Sequence, residues 1–104
     1  MPPSVDLDRL TASAAEASNF LRNIANEKRL LTLCQLMEGE CSVGHLAELV
    51  GLSQSALSQH LNRLRQDKLV QTRRDGQTIY YRLADKRVEA LIRLLYDQFC
   101  KPNC

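Results

Sequence analysis

The chain has 104 residues, of which 44% are hydrophobic and 25% are charged, and its formal net charge is +2. This composition is typical of a water-soluble globular protein, and the length allows one domain with one modest core. No apolar run approaches the roughly 18 residues that cross a bilayer, and the first residues lack the basic and apolar blocks of a secretory signal. We therefore expect a single cytoplasmic domain, residues 1–104, with residues 1–12 flexible.

Positive charge is concentrated in the middle of the chain. Residues 53–82 contain 6 Lys and Arg against 2 Asp and Glu, whereas residues 1–52 contain 4 against 7. A local basic excess of this kind favours a polyanionic partner such as nucleic acid.

Apolar residues at helical spacing predict two helices in the first third of the chain. The first spans about residues 13–25, and its stripe consists of Ala14, Ala17, Phe20, Leu21 and Ile24. A break near Asn26 separates it from a second helix, which Gly39 should end. The stripe of this second helix consists of Leu30, Leu33, Cys34 and Met37.

The next segment has the pattern of a helix-turn-helix. Ser42 can cap a short third helix that Gly51 stops, and Ser53 can cap a recognition helix over residues 53–66. A short turn with glycine between two helices, the second with a polar outer face, is typical of this motif. The inward face of the recognition helix carries Leu57, Leu61 and Leu64.

Residues 69–83 alternate in polarity and predict a two-stranded wing. The dipeptide Asp75-Gly76 splits the segment and suits a type I′ turn. Asp85 can then cap a last helix, which Pro102 ends. The apolar side of this helix carries Val88, Leu91, Ile92, Leu95 and Phe99. The predicted fold is therefore mainly α with a two-stranded β wing, a winged helix-turn-helix of four helices, two strands and a fifth helix.

The outer face of the recognition helix carries side chains suited to base edges in a major groove roughly 12 Å wide. Glutamine pairs with adenine, serine is a short donor and acceptor, and arginine reaches guanine or phosphate. The candidate DNA-binding residues of this helix are Gln54, Ser55, Ser58, Gln59, His60 and Arg63. In the wing they are Arg73, Arg74 and Gln77, which suit phosphate or a narrow minor groove.

The alternative is a polar face that only meets solvent. Several serines argue against it, because an exposed helix without a ligand would favour better helix formers. With the basic wing beside it, the face favours double-stranded operator DNA. Paired helix-turn-helix units read half-sites about 34 Å apart, so we expect a homodimer formed through the first and last helices.

Residues 26–83, from "NEKRLLTLCQLMEGE" to "DGQTIYYRL", resemble the ArsR/SmtB family of dimeric winged-helix repressors. The resemblance extends over nearly the whole chain and implies a repressor that releases DNA when an effector changes the dimer. Many members bind metals, and their third helix often carries Cys-Val-Cys after Glu-Leu. Here residues 40–44 read ECSVG, and Asp85 is followed by no histidine, so neither metal site of the family is expected. We expect no cofactor.

The four thiols are Cys34, Cys41, Cys100 and Cys104, without any Cys-x-x-Cys pair. A cysteine in the second helix and another near the end of the last helix are similar to the sulfide- and redox-responsive branch of the family, the SqrR-, BigR- and HlyU-like proteins. That resemblance implies that a disulfide or polysulfide bridge between Cys34 and Cys100, formed by reactive sulfur species or oxidants, lowers DNA affinity.

The residues alone leave other roles for these thiols open. Cys34 lies on an apolar stripe, where a free cysteine commonly serves as a small core residue. Cys41 precedes a helix start and should be the most acidic exposed thiol, and Cys104 could act as a resolving thiol for Cys100. A metal- or metalloid-sensing repressor that uses Cys41, Cys100 or Cys104 as ligands is the alternative function. Nothing in the sequence supports an enzyme.

Overall fold

The computed structural model describes residues 5–100. The elements in chain order are α1 Leu7–Ile24, α2 Glu27–Leu36, β1 Cys41–Ser42, α3 Val43–Val50, α4 Gln54–Gln66, β2 Val70–Asp75, β3 Thr78–Leu83 and α5 Lys86–Leu95. A π-helical segment, Tyr96–Cys100, continues α5. Helices α3 and α4 form the helix-turn-helix and the hairpin β2–β3 forms the wing, so the predicted winged helix-turn-helix fold is confirmed.

Side-chain caps set the starts of four helices, at the three predicted caps and at Asn26, where the sequence predicted only a break. The side chains of Asn26, Ser42, Ser53 and Asp85 accept hydrogen bonds from backbone amides in the first turns of α2, α3, α4 and α5. Each cap satisfies a donor that has no partner within its helix. Gly51 ends α3 with a φ of 72°, a left-handed conformation that glycine adopts without strain.

Helix α1 begins earlier than predicted, at Leu7 rather than near residue 13. Asp6 caps it by accepting hydrogen bonds from the amides of Asp8 and Arg9. Residues 7–12, which we expected to be flexible, therefore belong to the helix. The apolar periodicity did not predict a helix over residues 7–12, because Leu7 and Leu10 are exposed. The Asp6 cap forms without any contact to the core. Residues 1–4 lie outside the described part of the chain.

The sheet has three strands in the order β1-β3-β2, so the two-stranded wing is joined by a short strand, β1, that the sequence did not predict. Cys41 pairs with Tyr81 and Ser42 pairs with Tyr80, both antiparallel. A strand of two residues has no detectable alternation in sequence, and its extended backbone is stabilised by the partner strand alone. The sheet therefore ties the start of α3 to the wing.

The turn of the wing also differs from the prediction. Asp75 pairs with Thr78, so the central residues are Gly76 and Gln77. Gly76 has a φ of 63°, and the one non-glycine residue with positive φ among residues 5–100 is Lys68. A type I′ turn requires positive φ at both central positions, whereas a type II′ turn requires it at the first, commonly a glycine. The predicted type I′ turn is therefore wrong.

The core lies between α2, α3, α4, the wing and α5. Leu33, Leu46, Leu57, Leu61 and Leu64 are fully buried, and Val88 and Ile92 of α5 close the core from the other side. Phe99, which we placed on the apolar side of the last helix, is 81% exposed. No helix among residues 5–100 is both long and apolar enough to cross a membrane.

We expect Leu61→Ala to lower the free energy of unfolding by about 2–5 kcal/mol, because it leaves a cavity behind the recognition helix. Leu49→Ala is the matched control, since Leu49 is 47% exposed and should change stability by less than about 1 kcal/mol. Urea unfolding followed by circular dichroism measures both. Equal losses for the two variants would contradict the assigned core.

Candidate nucleic-acid interface and thiol site

The outer face of α4 presents four of the predicted DNA-binding side chains away from the core. Gln54, Ser55 and Gln59 are exposed and Ser58 is half-buried. Leu57, Leu61 and Leu64 are buried on the opposite side of the same helix. These four polar side chains are therefore available to a groove that approaches α4.

Gln54 lies against α3 at the first turn of the recognition helix. A Cβ atom added to Gly44 would be 3.4 Å from Nε2 of Gln54. The absence of a side chain at Gly44 thus leaves space for the Gln54 amide, although glycine is a poor helix former.

His60 and Arg63 lie on the side of α4 that faces α1 and α2. Nε of Arg63 donates to Oδ1 of Asn23 at 3.2 Å, and Nδ1 of His60 is 3.5 Å from Nη1 of Arg29. Burial and then the charge of Arg29 lower the pKa of His60, which favours the neutral ring. Both side chains already have protein partners on other helices, and their contact with DNA stays a prediction.

The two wing arginines differ in their surroundings. Nε of Arg73 donates to both carboxylate oxygens of Glu40 at 3.1 Å, Nη2 donates to Oε1 at 2.7 Å, and the guanidinium lies 4.6 Å from the ring centre of Tyr80. The hydrogen bonds with Arg73 lower the pKa of Glu40. Within the described residues the guanidinium of Arg74 has no such partner, and Gln77 is exposed in the turn. Arg74 is thus the freer cation of the wing.

Cys34 and Cys100 line the same groove. It lies between α2 and the C-terminal helix and has a volume of about 920 Å³. Cys34 is half-buried on α2, whereas Cys100 is exposed at the end of the π-helical segment, and both are free thiols. Much of the remaining lining is apolar and includes Leu30, Met37, Ile92, Tyr96 and Phe99. Residues 66 positions apart in sequence therefore share one surface.

Burial raises the pKa of the Cys34 thiol, and a negative charge on Cys100 raises it further. Cys34 is consequently a protonated thiol at neutral pH, and Cys100 is the more accessible sulfur of the two.

Cys41 does not have the character that we predicted for it. It lies in β1 opposite Tyr81, is half-buried, and burial raises the pKa of its thiol, so the expectation of an acidic, exposed thiol is wrong. The helix start that should have lowered the pKa is outweighed by loss of solvent. Cys104 lies outside the described residues. Within residues 5–100, no three His, Cys, Asp or Glu side chains converge to hold a metal ion.

Glu40 and Asn23 bind two of the candidate arginines, and neither residue was predicted from the sequence. Glu40 is 33 positions from Arg73 and lies in a connection without periodicity, so no local pattern revealed the pair. For Asn23 the sequence carried a weak signal, because this polar residue is next to Ile24 on the apolar side of α1. In the structure Asn23 is 3% exposed.

Alkylation of the reduced protein with iodoacetamide at neutral pH should modify Cys100 before Cys34 and Cys41. The reacting species is the thiolate, and burial both shields the latter two sulfurs and raises their pKa. Peptide mass spectrometry over a time course measures the order, and protein unfolded in urea is the control, in which the rates should converge. Faster modification of Cys34 than of Cys100 would contradict the described groove.

Comparison with known proteins assigns the chain to a family. The family described as "Bacterial regulatory protein, arsR family" matches residues 26–72. The transcriptional activator HlyU of Vibrio cholerae is 46% identical over 99 residues, which cover 95% of this chain and 92% of that protein. A structure of reduced HlyU from this organism has a TM-score of 0.84 and covers 89% of this chain and 98% of that one.

Two further solved structures support the assignment. The transcriptional repressor BigR from Xylella fastidiosa is 37% identical, with a TM-score of 0.89 and coverage of 94% of this chain and 100% of that one. A homodimeric winged helix-turn-helix DNA-binding domain from Mycobacterium bovis is 31% identical, with a TM-score of 0.75 and coverage of 94% and 89%. These relatives are regulators rather than enzymes, and the chain belongs to the ArsR family of bacterial DNA-binding transcriptional regulators.

Proposed function

We propose that the protein is a homodimeric repressor that binds operator DNA through α4 and the wing, and that a disulfide or polysulfide bridge between Cys34 and Cys100 lowers its operator affinity. The observation that carries the proposal is the groove that both thiols line, between α2 and the C-terminal helix. A bridge there would connect a helix of the DNA-binding core to the end of the chain.

Exposed apolar side chains at both ends of the chain support a homodimer. Leu7 and Leu10 of α1 are 70% and 51% exposed, and Leu94 and Phe99 are 54% and 81% exposed. Such side chains are costly in water and suit an interface. The relative from Mycobacterium bovis is described as homodimeric, and the repressor BigR is a precedent for repression.

With a peroxide as oxidant, the chemistry starts at the accessible thiol. The Cys100 thiolate attacks a peroxide oxygen, which gives a sulfenic acid and releases water or an alcohol. The Cys34 thiol then loses its proton and its sulfur attacks the Cys100 sulfur, the proton and the sulfenic hydroxyl leave as a second water, and a disulfide remains. The two electrons lost by the thiols reduce the peroxide O–O bond. This route requires the two Cα atoms to come within roughly 7 Å.

With reactive sulfur, each cysteine thiolate takes the outer sulfur from a low-molecular-weight persulfide, and a thiol leaves. The terminal sulfur of the Cys34 persulfide then attacks Sγ of Cys100 and displaces hydrosulfide, which leaves a three-sulfur bridge. The sulfur donor supplies the oxidising equivalents, so no other oxidant is needed. The longer bridge spans a wider gap than a disulfide does.

Formation of the bridge would contribute enough free energy to alter DNA binding. Closing a loop of about 66 residues contributes on the order of 4 kcal/mol in the chain-entropy estimate. A preference of about 1–3 kcal/mol for one arrangement of the dimer changes affinity by roughly 5- to 150-fold. The bridge acts only if it fits one arrangement better than the other.

The decisive experiment measures DNA binding and bridge formation on the same samples. A duplex is first selected from a randomised pool by the reduced protein, and its affinity is then measured before and after treatment with peroxide or persulfide. We expect at least a fivefold loss of affinity together with the mass of a Cys34–Cys100 cross-linked peptide. Cys34→Ser and Cys100→Ser should each keep the affinity of the reduced parent after treatment.

Cys41→Ser is the matched control, because Cys41 lies in β1 rather than in the groove and should leave the response intact. Release of the duplex by treated Cys34→Ser and Cys100→Ser proteins, to the same extent as by the parent, would refute the sensor. Failure of the reduced parent to select any duplex would refute the DNA-binding assignment.

The wing arginines should differ in their effect on the salt dependence of binding. Arg74→Ala should weaken binding to all duplexes and reduce the slope of log affinity against log salt by about 1, because one phosphate contact is lost. Arg73→Ala should change the slope less, because Glu40 already pairs with Arg73. Fluorescence anisotropy across a salt series measures both. A larger slope change for Arg73→Ala than for Arg74→Ala would contradict the assigned roles.

A further inference from the structure

A buried asparagine joins α1 to the end of the recognition helix. The Asn23 side chain is hydrogen-bonded through both of its polar atoms to the last turn of α4. Its Nδ2 donates to the carbonyl oxygen of Arg63 at 3.2 Å and to the carboxylate of Asp67 at 2.8 Å, and its Oδ1 accepts from Nε of Arg63 at 3.2 Å. At 3% exposure, this amide depends on α4 for its hydrogen bonds.

Helix α2 also contacts Asn23. Nε of Arg29 donates to the backbone carbonyl of Asn23 at 2.6 Å, and Nη1 of Arg29 is 3.5 Å from Nδ1 of His60 on α4. The Asn23 joint, defined here as Asn23 with Arg29, Arg63 and Asp67, therefore connects α1, α2 and α4.

The Asn23 joint is surrounded by polar side chains and an open cleft rather than by a packed apolar core. A cleft of about 360 Å³ lies beside Asn23 between α1 and α4, and it is lined by Asn19, Arg22, Arg63, Gln66 and Asp67. Apolar contacts tolerate small sliding movements, whereas hydrogen bonds weaken steeply when their angle changes. At this end of α4 the angle to α1 is therefore set by the directions of the hydrogen bonds.

We infer that Asn23 is a positioning residue that holds the recognition helix at a fixed angle to α1 and so sets the half-site spacing that the dimer accepts. The inference rests on the proposed function, in which α1 lies at the dimer interface. If α1 is shared across the two-fold axis, a rotation of α4 against α1 moves both recognition helices relative to half-sites about 34 Å apart. Asn23 itself does not touch DNA in this role.

The test compares Asn23→Ala with the parent on the duplex that the reduced parent selects, and on duplexes whose centre is one base pair longer or shorter. We expect Asn23→Ala to bind the selected duplex about tenfold more weakly and to lose much of the preference for it over the altered duplexes. Loss of spacing preference is the signature, since a loss of stability alone would weaken binding to all three duplexes equally.

Asn19→Ala is the matched control. Asn19 lines the same cleft one turn earlier, but its side chain accepts a hydrogen bond from Arg22 on its own helix rather than from α4. This variant should keep both the affinity and the spacing preference of the parent.

Asp67→Ala keeps the inference testable if Asn23→Ala fails to fold, because Asp67 is exposed and its loss removes one bond of the joint. It should weaken the spacing preference in the same direction, and in a folded double variant the two effects should not add. Parent-like spacing preference in either folded single variant would overturn the inference. Failure of the parent to select a duplex would instead refute the proposed function, and the inference with it.

Discussion

The burial of one leucine face fixes the orientation of the recognition helix, and the rest of the site depends on it. Leu57, Leu61 and Leu64 are fully buried. Rotation of α4 about its axis would expose them to water at roughly 1.5–3 kcal/mol for each side chain, which is large beside the stability of a small domain. The glutamines and serines on the opposite face therefore point outward. Core packing and the outward placement of these polar side chains are two consequences of one helix pattern.

The groove that Cys34 and Cys100 line is formed by two helices that are distant in sequence. Cys34 packs against the core as part of α2, and Cys100 lies at the end of the π-helical segment that continues α5. One thiol is therefore half-buried and the other exposed, and burial raises the pKa of the half-buried Cys34.

Much of the fold was predictable from local patterns, and several of the failures have a common cause. Caps at Asn26, Ser42, Ser53 and Asp85 are decided by side chains within three residues of the amides that they accept from. The missed strand β1 and the bond between Glu40 and Arg73 are decided by partners more than 30 positions away. The low acidity of Cys41 is similar, because its burial by the sheet outweighs the nearby helix start.

The amino-acid sequence by itself determined the order of the five helices and the two wing strands, the buried face of α4 and the identity of the side chains on its outer face. These follow from spacing along the chain, which periodicity and capping express directly. Only the tertiary structure decided that Arg63 binds Asn23, that Arg73 pairs with Glu40 whereas Arg74 has no such partner among the described residues, and that Cys34 and Cys100 share a groove. Those contacts join separate elements, and their geometry depends on how the elements pack rather than on the residues next to them in the chain.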